Sequence, residues 1–471
     1  MPVIILVADG ARPDTLAAAM DDGSLPAIAK LRAEGGSHVV TSTFPSVTGP
    51  AYAPFLLGRY PGPVGLPALR WYDRARTQAA FPHYTRSYVG HEMRHVDRDL
   101  AADAPTLFEL AQPAVGALSV ITRGLGRGQR LGNDLRFALR AARTHFSGNV
   151  GGWLAIDRAI GGEVARRIRT ERPRFVFAAL TGIDKTSHAE GHDQGTVRDA
   201  MRIVDDVVAE IRADAERDGC WERTHLWIVS DHGHSPVQQH EDLVRVVRSL
   251  GHRAMAHPWV FRVRPEVAVM VSGNAMAHLY LDLASRERPW WPALGARWQG
   301  LVDALFERPS VDIILLPESP TRCAVLGRGR GRGVVRMDPD RDGRPHYSYQ
   351  PETGDPLGIG TLRCATADEA WDATIASDYP DAVVQIAHLA GSARAGEIVL
   401  SASREWDFRA RFEPIPHLSS HGALHREHML VPLVVNRPLA GPPRRTVDVM
   451  PSALEVLGIT PPAGLDGESF V

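Results

Sequence analysis

Three short apolar runs in this chain each end on, or just before, a carboxylate, and that coincidence constrains the fold more than any other feature. Val3 to Ala8 is continuously apolar and gives way to Asp9-Gly10. Arg174 to Leu180, RFVFAAL, leads into TGIDKTSHAEGH, which carries Asp184. His225 to Ser230, HLWIVS, ends in Asp231-His232-Gly233. An unbroken apolar run of this length fits a central parallel strand covered on both faces. Open α/β sheets built of such strands place their ligands at the carboxyl ends. One Asp-Gly ending is explained equally well by a turn, but three endings of this kind in one chain gather carboxylates on one sheet edge and predict a metal site there.

Histidines reinforce the pattern. Asp184 and His188 stand four apart, so a helical turn puts both on one face. Such a pair offers two metal ligands, or it is a plain Asp–His hydrogen bond. His421-Gly422 lies just upstream of a further apolar run, Met429 to Asn436, that returns the chain to the sheet. His192, His234 and His240 are given no role beyond supporting a ligand or lying at the surface.

Phe44 to Pro61, FPSVTGPAYAPFLLGRYP, sets the hydroxyl of Thr48 just before Gly49-Pro50 and an apolar segment with helical spacing. Proline suits the first turn of a helix, where its missing N–H is no loss. Thr48 is therefore expected at a helix N-terminus, where free N–H groups and the dipole favour an anion. The ordinary role of a threonine there is to cap the helix. Arg70, at the end of the Gly/Pro-rich stretch Gly62 to Tyr72, is a candidate to reach an anion at Thr48; a solvated surface arginine is the plainer account.

Charge gives no lead to a polymer partner: 53 basic residues against 55 acidic leave no global bias towards nucleic acid or an anionic surface. Lys30 and Lys185 are the only lysines. Cys220, Cys323 and Cys364 are scattered without CxxC spacing, which argues against a disulfide framework or a thiolate zinc site. MPVIILVADG runs straight into a strand without a basic lead or cleavage site, so a cytoplasmic protein is expected unless the N-terminus is a processed or truncated one. No run approaches the ~18 apolar residues of a membrane span.

The organisation expected from these signals is a catalytic α/β core over residues 1–235, with a helical insertion at about 105–170. An inserted cap follows over 236–417, and 418–471 closes the core. Residues Gly327 to Gly333, GRGRGRG, read as a flexible loop in that cap, or as a contact for an anionic substrate.

Taken in order, ADG near the start, FPSVT followed by LLGRYP, Asp-x-x-x-His, Ser-Asp-His-Gly and Ser-His-Gly resemble the alkaline phosphatase superfamily, and within it the nucleotide pyrophosphatase/phosphodiesterase branch. The resemblance covers residue 1 to about 235 and about 418 to 471. It implies a three-layer α/β sandwich with a mostly parallel central sheet and an inserted cap that carries substrate choice. It further implies two zinc ions, or other divalent metals, one held by Asp184, His188 and His421, the other by Asp9, Asp231 and His232. Thr48 would bind the second metal and act as nucleophile, forming a phosphothreonine on a small phosphoester substrate.

One departure bears on substrate. Where diesterases of this branch place an Asn about twenty residues after the nucleophile, this chain reads Leu69-Arg70. A cationic fork there favours a more highly charged phosphate, so a phosphomonoesterase or a phosphonate-cleaving relative is the alternative. An inactive ligand-binding relative is the alternative of another class. Thr48 and Tyr52, where the sulfatases carry Cys or Ser and an Arg four residues on, argue against a sulfatase. Thr48 in place of Ser also counts against the cofactor-independent phosphoglycerate mutases.

Overall fold

The computed structural model describes residues 1–77, 84–257, 264–339, 343–409 and 416–471. Its centre is a seven-stranded sheet made of β1 (Val3–Ala8), β2 (Gly36–Thr41), β3 (Ala114–Ala117), β4 (Arg130–Leu131), β5 (Phe175–Leu180), β6 (His225–Val229) and β7 (Leu430–Val435). Across the sheet they run β2-β7-β6-β1-β5-β3-β4. β6, β1, β5, β3 and β4 are mutually parallel, and only the pairings of β7 with β6 and β2 are antiparallel.

The apolar continuity of β1 has a direct cause. Val3, Ile5 and Val7 enter the core on one face, while Ile4, Leu6 and Ala8 enter the core on the other. On the second face pack the helices Pro13–Asp21, Pro26–Glu34, Val150–Glu171 and Gly195–Arg217. The first face is covered by Ala53–Leu57, Val449–Leu457 and the segments around Trp71 and Phe108. Three helices on the second face are α1 (Leu135–Phe146), α2 (Val150–Glu171) and α3 (Gly182–Glu190).

Residues 105–170 do not form a purely helical insertion. They supply β3 and β4 to the central sheet as well as α1 and α2. The AVGA of β3 is too short to show a strand period, and its parallel pairings with β5 and β4 make it one.

A second, nine-stranded sheet spans Ala254–Ala402. It too is covered on both faces: Ile313 and Leu315 enter one core, Ile314 and Leu316 the other. The helix Trp291–Phe306 lies on one side and Ala382–Ala390 on the other.

The Arg/Gly stretch is a hairpin of this sheet rather than a flexible loop. Arg322–Gly327 and Gly331–Pro339 pair antiparallel through a turn at 328–330. Gly331 has φ +90, and a Cβ there would lie 1.6 Å from the Thr353 carbonyl oxygen, so only glycine fits. Arg330 is engaged by Asp312 at 2.8 Å, and Arg332 by Glu318 and Glu352 at 2.9 Å each. These two arginines are held by acids on the strands that flank the hairpin, Val311–Ser319 and Pro345–Gly354.

Buried ion pairs join the two sheets' surroundings. Arg74 meets Glu397 at 2.8 Å, and Arg445 grips Asp381 with two bonds of 2.9 Å. Among the described residues, no helix is long and apolar enough to cross a membrane.

Candidate metal centre

β6, β1 and β5 are neighbours, and their register is level: Val7 sits beside Val229, and Ala8 beside Leu180. Parallel strands that end level deliver their next residues to one place. Asp9, Asp231 and the helix bearing Asp184 therefore converge at the carboxyl edge, where the sequence pattern located them. Gly10 lets them do so. It has φ +80, and a Cβ there would lie 2.9 Å from His234 Nε2 and 3.0 Å from the Asp184 Cα. Its N–H donates to Asp231 Oδ1 at 3.3 Å.

Asp184 and His188 lie one turn apart on α3, with His188 Nε2 3.2 Å from Asp184 Oδ1. The start of α3 is anchored by buried Asp157 of α2, whose carboxylate accepts the N–H groups of Thr181 at 3.1 Å and Gly182 at 2.6 Å. Burial pushes the Asp157 carboxyl up to about 7, against those two hydrogen bonds.

Three sets of ligand atoms each gather within 4.8 Å: Asp9, Asp231 and His232; Asp184, His232 and His421; and Asp184, His188 and His234. The first is the set expected for one metal. Asp184, His188 and His421, expected for the other, are close without forming one such set. His421 Nε2 is 3.6 Å from Asp184 Oδ1, and its ring centre is 5.1 Å from that of His188.

His234 takes a place that sequence reasoning did not give it. Its Nε2 lies 3.0 Å from Asp184 Oδ1 and its Nδ1 3.1 Å from Ser419 Oγ. The signal was present in Asp-His-Gly-His: residues two apart on extended chain point to the same side, so His232 and His234 face one edge together.

Second partners orient the rings. His188 Nδ1 donates to the Ser419 carbonyl at 2.9 Å, His421 Nδ1 to that of Ser46 at 2.9 Å, and His232 Nδ1 to that of Gly233 at 3.2 Å. A carbonyl only accepts, so Nδ1 carries a proton and Nε2 is directed at the centre, where it offers a lone pair when the ring is neutral. His421 is held from an unexpected quarter. Its backbone bonds the turn between Val267–Ser272 and Met276–Leu281 of the second sheet, with Ala275 N–H reaching its carbonyl at 3.0 Å and its own N–H reaching Gly273 at 3.3 Å.

Thr48 is not a helix cap. Its Oγ1 lies 3.0 Å from His232 Nε2 and 3.3 Å from Asp9 Oδ1. Gly49, at φ 96, turns the chain away into the single helical turn Pro50–Tyr52, which continues as Ala53–Leu57. Tyr52 donates to Asp9 Oδ2 at 3.5 Å. Leu69 packs towards Gly49, whereas Arg70 begins the short strand Arg70–Tyr72, half-buried, with its N–H on Ser272 Oγ at 3.1 Å.

The electrostatics fit a bound cation. Asp9, Asp184 and Asp231 are all buried. Asp231 Oδ2 is buried and accepts no hydrogen bond from a described residue. Burial and the neighbouring Asp9 push the Asp231 carboxyl well up. Burial opposes charge on His232, but Asp231 and Asp9 outweigh it and hold its pKa at about 9. Burial and His232 push His421 well down. The nitrogen and oxygen donors are those of zinc or a similar divalent ion, with no thiolate among them. The three cysteines are free and none belongs to these sets.

Comparison with known proteins adds the family. No curated protein matches the sequence. Among solved structures, phosphonoacetate hydrolase from Sinorhizobium meliloti 1021, in complex with phosphonoacetate, aligns over 97% of this chain and 96% of its own at 17% identity and a TM-score of 0.58. Human ectonucleotide pyrophosphatase/phosphodiesterase 5 aligns over 99% and 97% at 12% identity and a TM-score of 0.59. Its murine counterpart does so over 99% and 98% at 13% and 0.57. These likenesses show a shared alkaline-phosphatase-like fold. The profile described as type I phosphodiesterase/nucleotide pyrophosphatase matches residues 3–289, which holds every residue of the metal centre except His421. On that match, the chain belongs to the type I phosphodiesterase/nucleotide pyrophosphatase family of the alkaline phosphatase superfamily.

Proposed function

We propose that this chain is a two-metal hydrolase of small phosphoric diesters that uses Thr48 as nucleophile. The observation that carries the reading is Thr48 Oγ1, placed 3.0 Å from His232 and 3.3 Å from Asp9 within the donor sets. Asp9, Asp231 and His232 would hold one cation. Asp184, with His188 and either His421 or His234, would hold the other. Bound there, a pair of divalent cations supplies positive charge for the attacking and leaving oxygens and lowers the pKa of the threonine hydroxyl.

The chain's own residues do the positioning. Thr48 Oγ1 forms a bond to phosphorus as the bond to the leaving alkoxide breaks, giving a phosphothreonine. Water then attacks from the opposite side and releases Thr48 with the phosphate monoester. Tyr52 fixes Asp9, and Gly49 turns the main chain away from the nucleophile. The Leu69-Arg70 pair supports a second reading, a phosphomonoesterase or phosphonate-cleaving enzyme, because it supplies a cation where diesterases of the branch have an amide.

The test is hydrolysis of bis-p-nitrophenyl phosphate and p-nitrophenyl phosphate by zinc-loaded protein beside Thr48→Ala, with elemental analysis of both. Thr48→Ala should lose about 10³-fold or more in rate at unchanged metal content. Wild-type rates in the variant would remove the nucleophile. Preference for the monoester would select the second reading, and no turnover on a broad panel would leave a ligand-binding protein.

A further inference from the structure

Helix α1 carries a face that the fold leaves uncovered. Asp134 caps it, accepting the Phe137 N–H at 2.7 Å. It packs on α2 through the side bearing Phe137 and Thr144, the latter buried against Gly152. Leu139, Ala142 and Phe146 repeat at helical spacing as one stripe, and that stripe faces outward. Leu139 is 63% exposed and Phe146 74%.

Beside it runs a second stripe, Arg136, Arg140 and Arg143, also exposed. None of the three is ion-paired to a described residue, and the helix itself contains no acid. From Ile121 to Val150 six arginines face one acidic residue, Asp134. The charges of the whole chain nearly cancel, so this imbalance is local.

An outward apolar stripe flanked by arginines matches an anionic, partly apolar surface. A helix of that kind lies in the plane of a bilayer interface, with its apolar side sunk among the acyl chains and its cations on the headgroups. A second copy docked on the same face would instead bring two unpaired arginine stripes together. Placement agrees with the bilayer. Phe146 is the end of α1 nearest the first turn of α2, where Trp153 stacks under the ammonium of Lys185 at 5.9 Å, and Lys185 in turn contacts Asp184 at 2.7 Å.

We infer that α1 docks this protein onto anionic phospholipid bilayers, with the carboxyl edge of the central sheet at the docked end. Docking needs neither the metals nor turnover.

Full-length protein is sedimented with vesicles of phosphatidylcholine alone, or of phosphatidylcholine and phosphatidylglycerol in equal parts. Binding to the anionic vesicles only, weakening as salt is raised, is expected. Leu139→Asp/Phe146→Asp should abolish it, and Arg140→Gln and Arg143→Gln should each weaken it about fivefold. These exposed positions should leave melting and hydrolysis of a soluble diester unchanged. The inference is overturned if anionic vesicles retain no more protein than neutral ones, or if the variants bind as well as the parent. It is also overturned if the parent is a dimer that Phe146→Asp dissociates, since the stripe then covers a second copy.

Discussion

The imidazoles of His232 and His421 lie face to face, 3.5 Å between ring centres and 3° between planes. One belongs to the end of β6 and the other to the segment returning from the second sheet. Asp231 and Asp9, against burial, keep His232 protonated up to about pH 9. A histidine must be neutral to bind a metal. Zinc uptake by metal-free protein at pH 7 should therefore release a proton from His232, and affinity should rise with pH towards 9. Calorimetry in two buffers of different protonation enthalpy measures the release; equal heats in both would contradict it.

His234→Ala should weaken metal binding about 10- to 100-fold, the usual effect of removing a ligand or the group that orients one. His234 reaches Asp184 Oδ1 as closely as His188 does. Competition against a chelator measures the loss. An unchanged constant would show that the contact adds nothing to metal binding.

Removing one half of the Arg74–Glu397 pair should be costly. Both side chains are buried, and Glu397 also accepts the Leu281 N–H at 2.7 Å. Glu397→Ala strands the guanidinium, and denaturant titration should show a loss of about 3–5 kcal/mol. A loss below about 1 kcal/mol would mean that the carbonyls of Leu281, Asp282 and Ser285, to which Arg74 donates at 2.6, 2.9 and 3.2 Å, suffice.

Asp157 gives a pH signature. Its folded pKa is raised to about 7, whereas the unfolded chain loses that proton near pH 4. Between those values the folded state binds the proton and the unfolded state does not. On this residue's account, stability falls as pH rises from about 4 to about 7 and is level above. Asp157→Asn should flatten that slope in metal-free protein, seen as melting temperature against pH. An identical slope in the variant would assign it elsewhere.

The residues of the centre were legible where local sequence fixes them. An apolar run declares a buried strand, and the residue after it must fall at the sheet edge, so Asp9 and Asp231 could be placed without coordinates. Asp184 and His188 followed from helical spacing. The competition between capping and catalysis at Thr48 was not local, because only the approach of Asp9 and His232 decides where its hydroxyl points. For His234 the sequence supports no more than a role behind a ligand, because a two-residue spacing shows a shared side and not which ring atom comes within reach of Asp184. The partition of histidines around Asp184 depends on ring placement that spacing does not encode. The pairing of the second sheet is not legible in the sequence. Strands such as Met276–Leu281 and Ile398–Ala402 pair across more than a hundred residues, and no short window reports such a partner.

His421 alone among the centre's groups takes its backbone anchor from the second sheet. On the proposed function, a molecule that tilts the turn at Gly273 also shifts one ligand atom, so grip on the metal and grip on that molecule would be one coupled equilibrium. Reciprocity then requires that stripping the cation change the molecule's affinity by the same factor. A chain segment assigned to choosing substrates would thereby act as a sensor of whether the catalyst is loaded.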